Sequence, residues 1–178
     1  MAGKHGATCV PHSAPGNGYA RDHVDLLLSN YRRWLKRDLS PPFFAKESSS
    51  DAEALFTTDF ALVSHGVETD PLFNYGNQTA LRLFGLEWGS FVCLPSRKSA
   101  EMPDRREPAR LLYAVYTQGL IDDYTGIRIS ASGRRFRIDK ATVWNLVDQD
   151  GRYRGQASCF DAWVFYLISI SVHAHTTV

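Results

Sequence analysis

The chain has 178 residues, of which 44% are hydrophobic and 22% charged, and a net charge of +1 at pH 7. That length supports one domain with its own hydrophobic core, without disulfide staples. The balanced charge excludes a general polyanion binder, because gripping a phosphate backbone takes a concentrated basic surface, so no nucleic-acid partner is expected. The longest apolar run, Ala162 to Val172, is shorter than the ~20 residues of a membrane-spanning helix, so no membrane partner is expected either. Cys9, Cys93 and Cys159 are odd in number and far apart. They read as free thiols in a reducing compartment, and the expected location is cytoplasmic. No signal-peptide pattern opens the chain. Organelle import is the weaker alternative, since residues 1–21 lack acids but hold only Lys4 and Arg21 as strong bases.

Residues 1–19 are rich in Gly, Pro and Ala and are expected to be disordered. His5, Cys9 and His12 lack a fourth ligand and a rigid frame, so no metal site is assigned to them. A helix is predicted over 22–37, where Val24, Leu27, Leu28, Tyr31 and Leu35 form one apolar stripe. Arg32, Arg33, Lys36 and Arg37 complement its C-terminal dipole, and Pro41-Pro42 ends it. Ser50 and Glu53 have capping-box spacing for a short helix through Phe56. Strands are predicted at Phe60–Ser64 and Leu72–Tyr75, joined by a turn. Asn77 then caps a short helix that Gly85 ends. A further helical turn is predicted at Trp88–Phe91, a polar loop or capped turn at 95–101, and a longer helix from Arg105 to a C′ glycine at Gly119.

Three strands follow between Tyr124 and Phe160, with Ser132-Gly133 and Asp148–Gly151 as turns. In the middle strand Phe136 and Ile138 share a parity that Lys140 interrupts, so a bulge is predicted near Asp139-Lys140. The predicted fold is α+β: a five-stranded antiparallel sheet with short helices on one face, preceded by an N-terminal helix. The C-terminal tail 161–178, with its apolar run Ala162–Ile168, reads as an extra strand, a dimer contact or sequence foreign to the domain. An exposed, uncharged, β-prone run of this kind is an aggregation hazard.

The stretches DFALVSHG (Asp59–Gly66), DPLFNYGNQTALRLF (Asp70–Phe84), LPSRKSAE (Leu94–Glu101), QGLIDDYTGIRISASGRRFRI (Gln118–Ile138), VWNLVDQDG (Val143–Gly151) and GQAS (Gly155–Ser158) resemble the MEKHLA domain family in order and spacing, over roughly Asp22 to Phe160. The resemblance implies a PAS-like fold. The family occurs at the C-terminus of plant class III homeodomain leucine-zipper factors and as a stand-alone domain. This sequence holds neither homeodomain nor zipper, so it is similar to the stand-alone form and DNA binding is not carried over. PAS-like domains sense a ligand, light or redox state, or mediate protein contacts. The implied function is therefore a non-enzymatic sensory or interaction module taking a small ligand, or a homodimer through the sheet face and leading helix.

The residues singled out for a ligand are His65, Tyr75, Asn77, Arg97, Arg128, Ser130 and Trp144. Tyr75, Asn77, Ser130 and Trp144 follow from PAS geometry, as lining between sheet and helices. Arg97 and Arg128 are expected either in surface ion pairs or holding a carboxylate. His65 is expected to bond its own turn or to line a pocket mouth. Ser64 and His65 are strand neighbours on opposite faces and cannot act as a nucleophile–base pair. Asn145 faces away from Trp144 and needs a partner if covered. The alternative is a small enzyme using His65 with Asp70 or Asp123, for which no acid–base spacing emerges. The cofactor is left unassigned. Phe91–Pro95 lacks the Asn-Cys-Arg-Phe-Leu-Gln context of covalent flavin binding, so Cys93 is expected to be buried, and no histidine lies on the long helix to hold haem.

Overall fold

The computed structural model describes residues 19–39, 50–100, 113 and 115–166. The N-terminal segment 1–18, residues 40–49, most of the helix expected from Arg105 and the end of the apolar tail lie outside them. Helix α1 (Arg21–Leu35) and helix α2 (Asp51–Thr57) lead into strands β1 (Ala61–His65) and β2 (Phe73–Gly76). Helices α3 (Gln78–Phe84) and α4 (Trp88–Phe91) and a 3₁₀ turn at Ser96–Ser99 follow, then strands β3 (Leu120–Ile129), β4 (Arg135–Val147), β5 (Tyr153–Phe160) and β6 (Ala162–Phe165). The antiparallel sheet runs β2-β1-β5-β4-β3, with β6 also paired to β4. The first two strands thus join the last ones in one sheet through β5, which pairs with both β1 and β4.

The sheet has six strands where five were expected. The sixth comes from the apolar segment after Phe160: Ala162 pairs with Asp139 and Phe165 with Phe136. The expected irregularity at Lys140 is real, and its φ is +52°. Phe136 and Ile138 belong to one core, while Trp144 and Leu146, at the same parity, belong to the other. Because side chains alternate with period two, one residue out of the pleat moves every later side chain to the opposite face. The neighbouring strands break at the same level, β3 at Asp123 with φ +99° and β5–β6 at Asp161. A crease therefore crosses the sheet.

Helices cover both faces, which corrects the expectation of one covered face. Leu62 of β1 and Trp144, Leu146 and Ala157 join Val24, Leu27 and Tyr31 of α1 and Leu55 of α2 in an outer core. Ala61 and Val63, with the other parity, join Ala80, Leu83 and Phe84 of α3 and Phe91 of α4 in an inner core. Burying Val24 and Leu27 contributes about 2 kcal/mol each. Polar bonds then fix the register of α1. Asn30 Nδ2 donates to Val147 O at 2.9 Å while Val147 N donates to Asn30 Oδ1 at 3.0 Å. Trp34 Nε1 donates to Asn145 O at 2.9 Å. Gly119, at φ +83°, ends the helical residues 115–118 where a Cβ would run into the Trp34 ring.

Asn77 ties three elements together. Its Oδ1 accepts from Ala80 N at 3.0 Å, capping α3, and from Leu62 N at 3.0 Å in β1. Its Nδ2 donates to Phe60 O at 2.7 Å and Leu55 O at 3.3 Å, the latter in α2. The side chain is fully buried, so its loss leaves several backbone groups desolvated and unpaired. Asn77→Ala should lower the unfolding free energy by about 3 kcal/mol, read as a drop in the urea midpoint at constant m-value.

Candidate functional site

The register places three polar residues in one row across the sheet. His65 of β1 lies opposite Gln156 of β5, and Gln156 lies opposite Asn145 of β4. Directly paired residues share a face, and this is the inner one, since Phe73, the β2 partner of His65, belongs to the inner core. Asn145 and Gln156 are buried. Asn145 Nδ2 donates to the carbonyls of Val115 at 2.9 Å and Tyr116 at 3.2 Å, at the end of the helical residues 115–118. That orients its amide. Its Oδ1 is left to accept from Gln156 Nε2 at 3.2 Å, which orients the second amide and turns Gln156 Oε1 away from Asn145.

His65 completes the row. Its Nδ1 lies 2.9 Å from Gly66 O, and a carbonyl only accepts, so Nδ1 carries the hydrogen. Burial pushes the His65 pKa below its ordinary value, against the opposing pull of the Gly66 carbonyl, the Gln156 side chain and Glu68. The neutral ring therefore presents Nε2 as a lone-pair acceptor. Gln156 Oε1, also an acceptor, is buried without a well-formed hydrogen bond among the described residues. Two acceptors cannot satisfy each other, and a buried carbonyl left unpaired costs about 1–3 kcal/mol. Gly155, at φ +124°, holds β5 so close to β1 that an added Cβ would strike the His65 carbonyl oxygen.

On the outer face Ser64 makes a different network. Its hydroxyl donates to Asn74 Oδ1 at 2.6 Å, and His23 Nε2 of α1 lies 2.8 Å from Ser64 Oγ. With the hydroxyl hydrogen committed to Asn74, His23 donates to Ser64 rather than taking its proton. This pair is an anchor for α1, not a nucleophile and its base. The His23 ring also stacks on Tyr75 at 5.6 Å.

The seven residues singled out from sequence do not converge. His65 alone stands in the inner polar row. Tyr75 and Trp144 lie on the outer face in the core under α1, Trp144 edge-on to Tyr31 at 5.1 Å. Among the described residues the Trp144 indole N–H has no hydrogen-bond acceptor. Asn77 spends both amide atoms on α2, α3 and β1. Arg97 is exposed and grips Asp70 in two bonds, Nε–Oδ1 at 2.8 Å and Nη2–Oδ2 at 3.0 Å, so its carboxylate is an internal one. Arg128 packs over the Tyr124 ring, 5.3 Å from its centroid, and donates to its hydroxyl at 3.1 Å. Ser130 is buried in the β3–β4 turn, 3.0 Å from Ser132 Oγ. Cys93 is exposed, which corrects the expectation of a buried thiol; Phe91 and Val92 take the inward positions of that turn. The residue sequence reasoning missed is Gln156, whose only signal was a buried-parity amide in a strand.

A profile of the MEKHLA domain matches residues 21–165. The chain belongs to the MEKHLA domain family. The homeobox-leucine zipper protein ATHB-14 of Arabidopsis thaliana is 23% identical over 175 residues. That alignment covers 93% of this MEKHLA chain, which spans about one fifth of the relative's length (20%). Among solved structures, a fungal LOV domain photoreceptor is similar at TM-score 0.55 and 16% identity, over 82% of this chain and 93% of that one. The photo-excited blue-light photoreceptor Vivid is similar at 0.52 and 18%, over 83% and 96%. A PAS domain from Colwellia psychrerythraea is similar at 0.50 and 15%, over 61% and 89%. The MEKHLA chain thus has the PAS-like fold. Among the described residues no helix is long and apolar enough to cross a membrane, and no group of metal-ligating side chains occurs.

His23 gives the fold a dependence on acid. Burial pushes its pKa down to about 4, below the ~6.5 of an unfolded histidine. Between those values the unfolded chain binds a proton that the folded chain refuses, so stability is full above pH 6.5 and falls as pH drops towards 4. His23 contributes at most about 3 kcal/mol to that loss, and His65 adds to it in the same direction. Urea titrations across pH 4–7 should show the slope, and His23→Gln should flatten it.

Proposed function

We propose that this MEKHLA domain is a non-enzymatic sensory or interaction module that holds a small ligand against the inner face of its sheet, at His65 and Gln156. One observation carries the reading: among the described residues the buried Gln156 Oε1 has no donor, and the neutral His65 opposite Gln156 has given its one ring hydrogen to Gly66 O. A ligand bearing N–H or O–H donors would satisfy both, and Val63, Phe73 and Phe91 of the inner core would supply the apolar contacts. An apolar wall with one or two polar anchors is the usual composition of a small-molecule site.

The alternative of a small enzyme lacks its acid–base pair. The Nδ1 of His65 is committed to Gly66 O, Asp70 is held by Arg97, and Asp123 sits at the crease of β3. Ser64, which lies beside His23, gives its hydrogen to Asn74. Native mass spectrometry of the full chain as purified, with an absorption spectrum, tests the proposal. A non-covalent adduct is expected, reduced at least tenfold in Gln156→Leu with the thermal midpoint of the variant within a few degrees of wild type. A clean apo mass for the wild type, or an adduct retained fully by Gln156→Leu, would sink the reading.

A further inference from the structure

The sheet has three free edges, and two of them are protected. Beside β2, Phe73 N donates to Leu94 O at 3.0 Å and Leu72 bridges Pro95. Beside β3, Ala100 bridges Arg128, while Asp122 and Asp123 bring charge and a broken register to the rest of the edge. Bulges, charge and covering loops are how folded proteins keep an edge from pairing with another chain. Among the described residues the outer edge of β6 has none of these. Ala162 to Tyr166 carry no charge and no proline, and Val164 and Tyr166 are 60% and 43% exposed.

The backbone of β6 is poised for another strand. Tyr166 N donates to Arg135 O at 2.9 Å, so by the alternation of an antiparallel ladder Val164 also turns its polar groups towards β4. Trp163 and Phe165 turn theirs outward, and among the described residues nothing pairs with them. Beyond this edge, where β1 would continue had it begun earlier than Ala61, lies an open groove of about 300 Å³. Asp59, Thr79, Arg82, Leu83, Trp163 and Phe165 line it.

We propose that β6 is a dimer edge, at which a second copy of this chain adds its own β6 antiparallel and extends the sheet across a two-fold axis through Val164. The occupant is a second copy because the edge is self-complementary. Centred on Val164, each Trp163 exchanges N–H and carbonyl bonds with Phe165 of the other copy, and the uncharged strands meet without like-charge repulsion. The aromatic side chains of the incoming strand project on the inner side, where the groove receives them. The four-residue span makes the dimer weak and concentration-dependent, since stable interfaces bury on the order of 1,200 Å² or more.

Sedimentation velocity of the full chain from low micromolar to several hundred micromolar tests this. Wild type should shift from monomer to dimer across that range. Val164→Lys and Val164→Glu, each placing like charges opposite one another on the axis, should stay monomeric, with thermal melts close to wild type because the side chain is exposed. An equimolar mixture of the two should dimerise again. A wild type that stays monomeric, single variants that dimerise as wild type does, or a mixture that fails to associate would each overturn the proposal.

Discussion

The crease through Asp123, Lys140 and Asp161 is the constraint on which the rest of the molecule depends. A straight β4 would send Phe136, Ile138, Trp144 and Leu146 to a single face and leave the other without a core. With Lys140 at positive φ, one strand of 13 residues serves both. Its first half packs Phe136 and Ile138 under α3, and its second half packs Trp144 and Leu146 under α1. A lysine at positive φ is strained by roughly 1–2 kcal/mol, a cost that two separate cores offset. The crease also decides which residues form the inner polar row. Asn145 faces inward because it lies beyond the switch, and Gln156 and His65 follow by pairing.

The two faces then take different chemistry from similar residue types. On the outer face His23 donates to Ser64 and Ser64 donates to Asn74, and the result is a helix bolted to a sheet. On the inner face a histidine and two amides form a row that ends in two acceptors. Asn145 gives its amide hydrogens to the helical residues 115–118 and its oxygen to Gln156, so it sets the orientation of its neighbour rather than presenting itself. The fixed tautomer of His65 follows from a turn carbonyl one residue away. The two histidine networks thus differ in how their hydrogens are placed, more than in the identity of their residues.

Much of the fold was legible from local signals. The apolar stripe of α1, the Ser50 and Asn77 caps, the helix ends at Gly85 and Gly119, and the parity break at Lys140 all act within a few residues of their cause. The family resemblance reached the same sheet by another route. What stayed hidden depended on distant pairing. Trp144 and Asn145 were known to point oppositely, but which of them faced the helices α3 and α4 depended on where α1 docked, and that is fixed by Asn30 meeting Val147, 117 residues away. Gln156 gave no sign of its role until the register set it between His65 and Asn145. Arg97 was expected in an ion pair or on a carboxylate, but its partner Asp70 lies 27 residues earlier, on the far side of β2, α3 and α4.

The position of β5 governs the order in which this domain can assemble. It lies in the middle of the sheet, between β1 and β4, yet it is made of residues 153–160, late in the chain. The β1–β2 and β3–β4 hairpins can each form from neighbours in sequence, but they share no hydrogen-bonded ladder until β5 enters between them. On a ribosome, both halves therefore emerge with exposed strand edges on either side of a missing centre. Closure must wait for the chain through Phe160, and non-local pairing of this kind is slow. Nascent chains of this domain thus carry unpaired strand edges until β5 has been made, and that interval is when they are open to association with other chains.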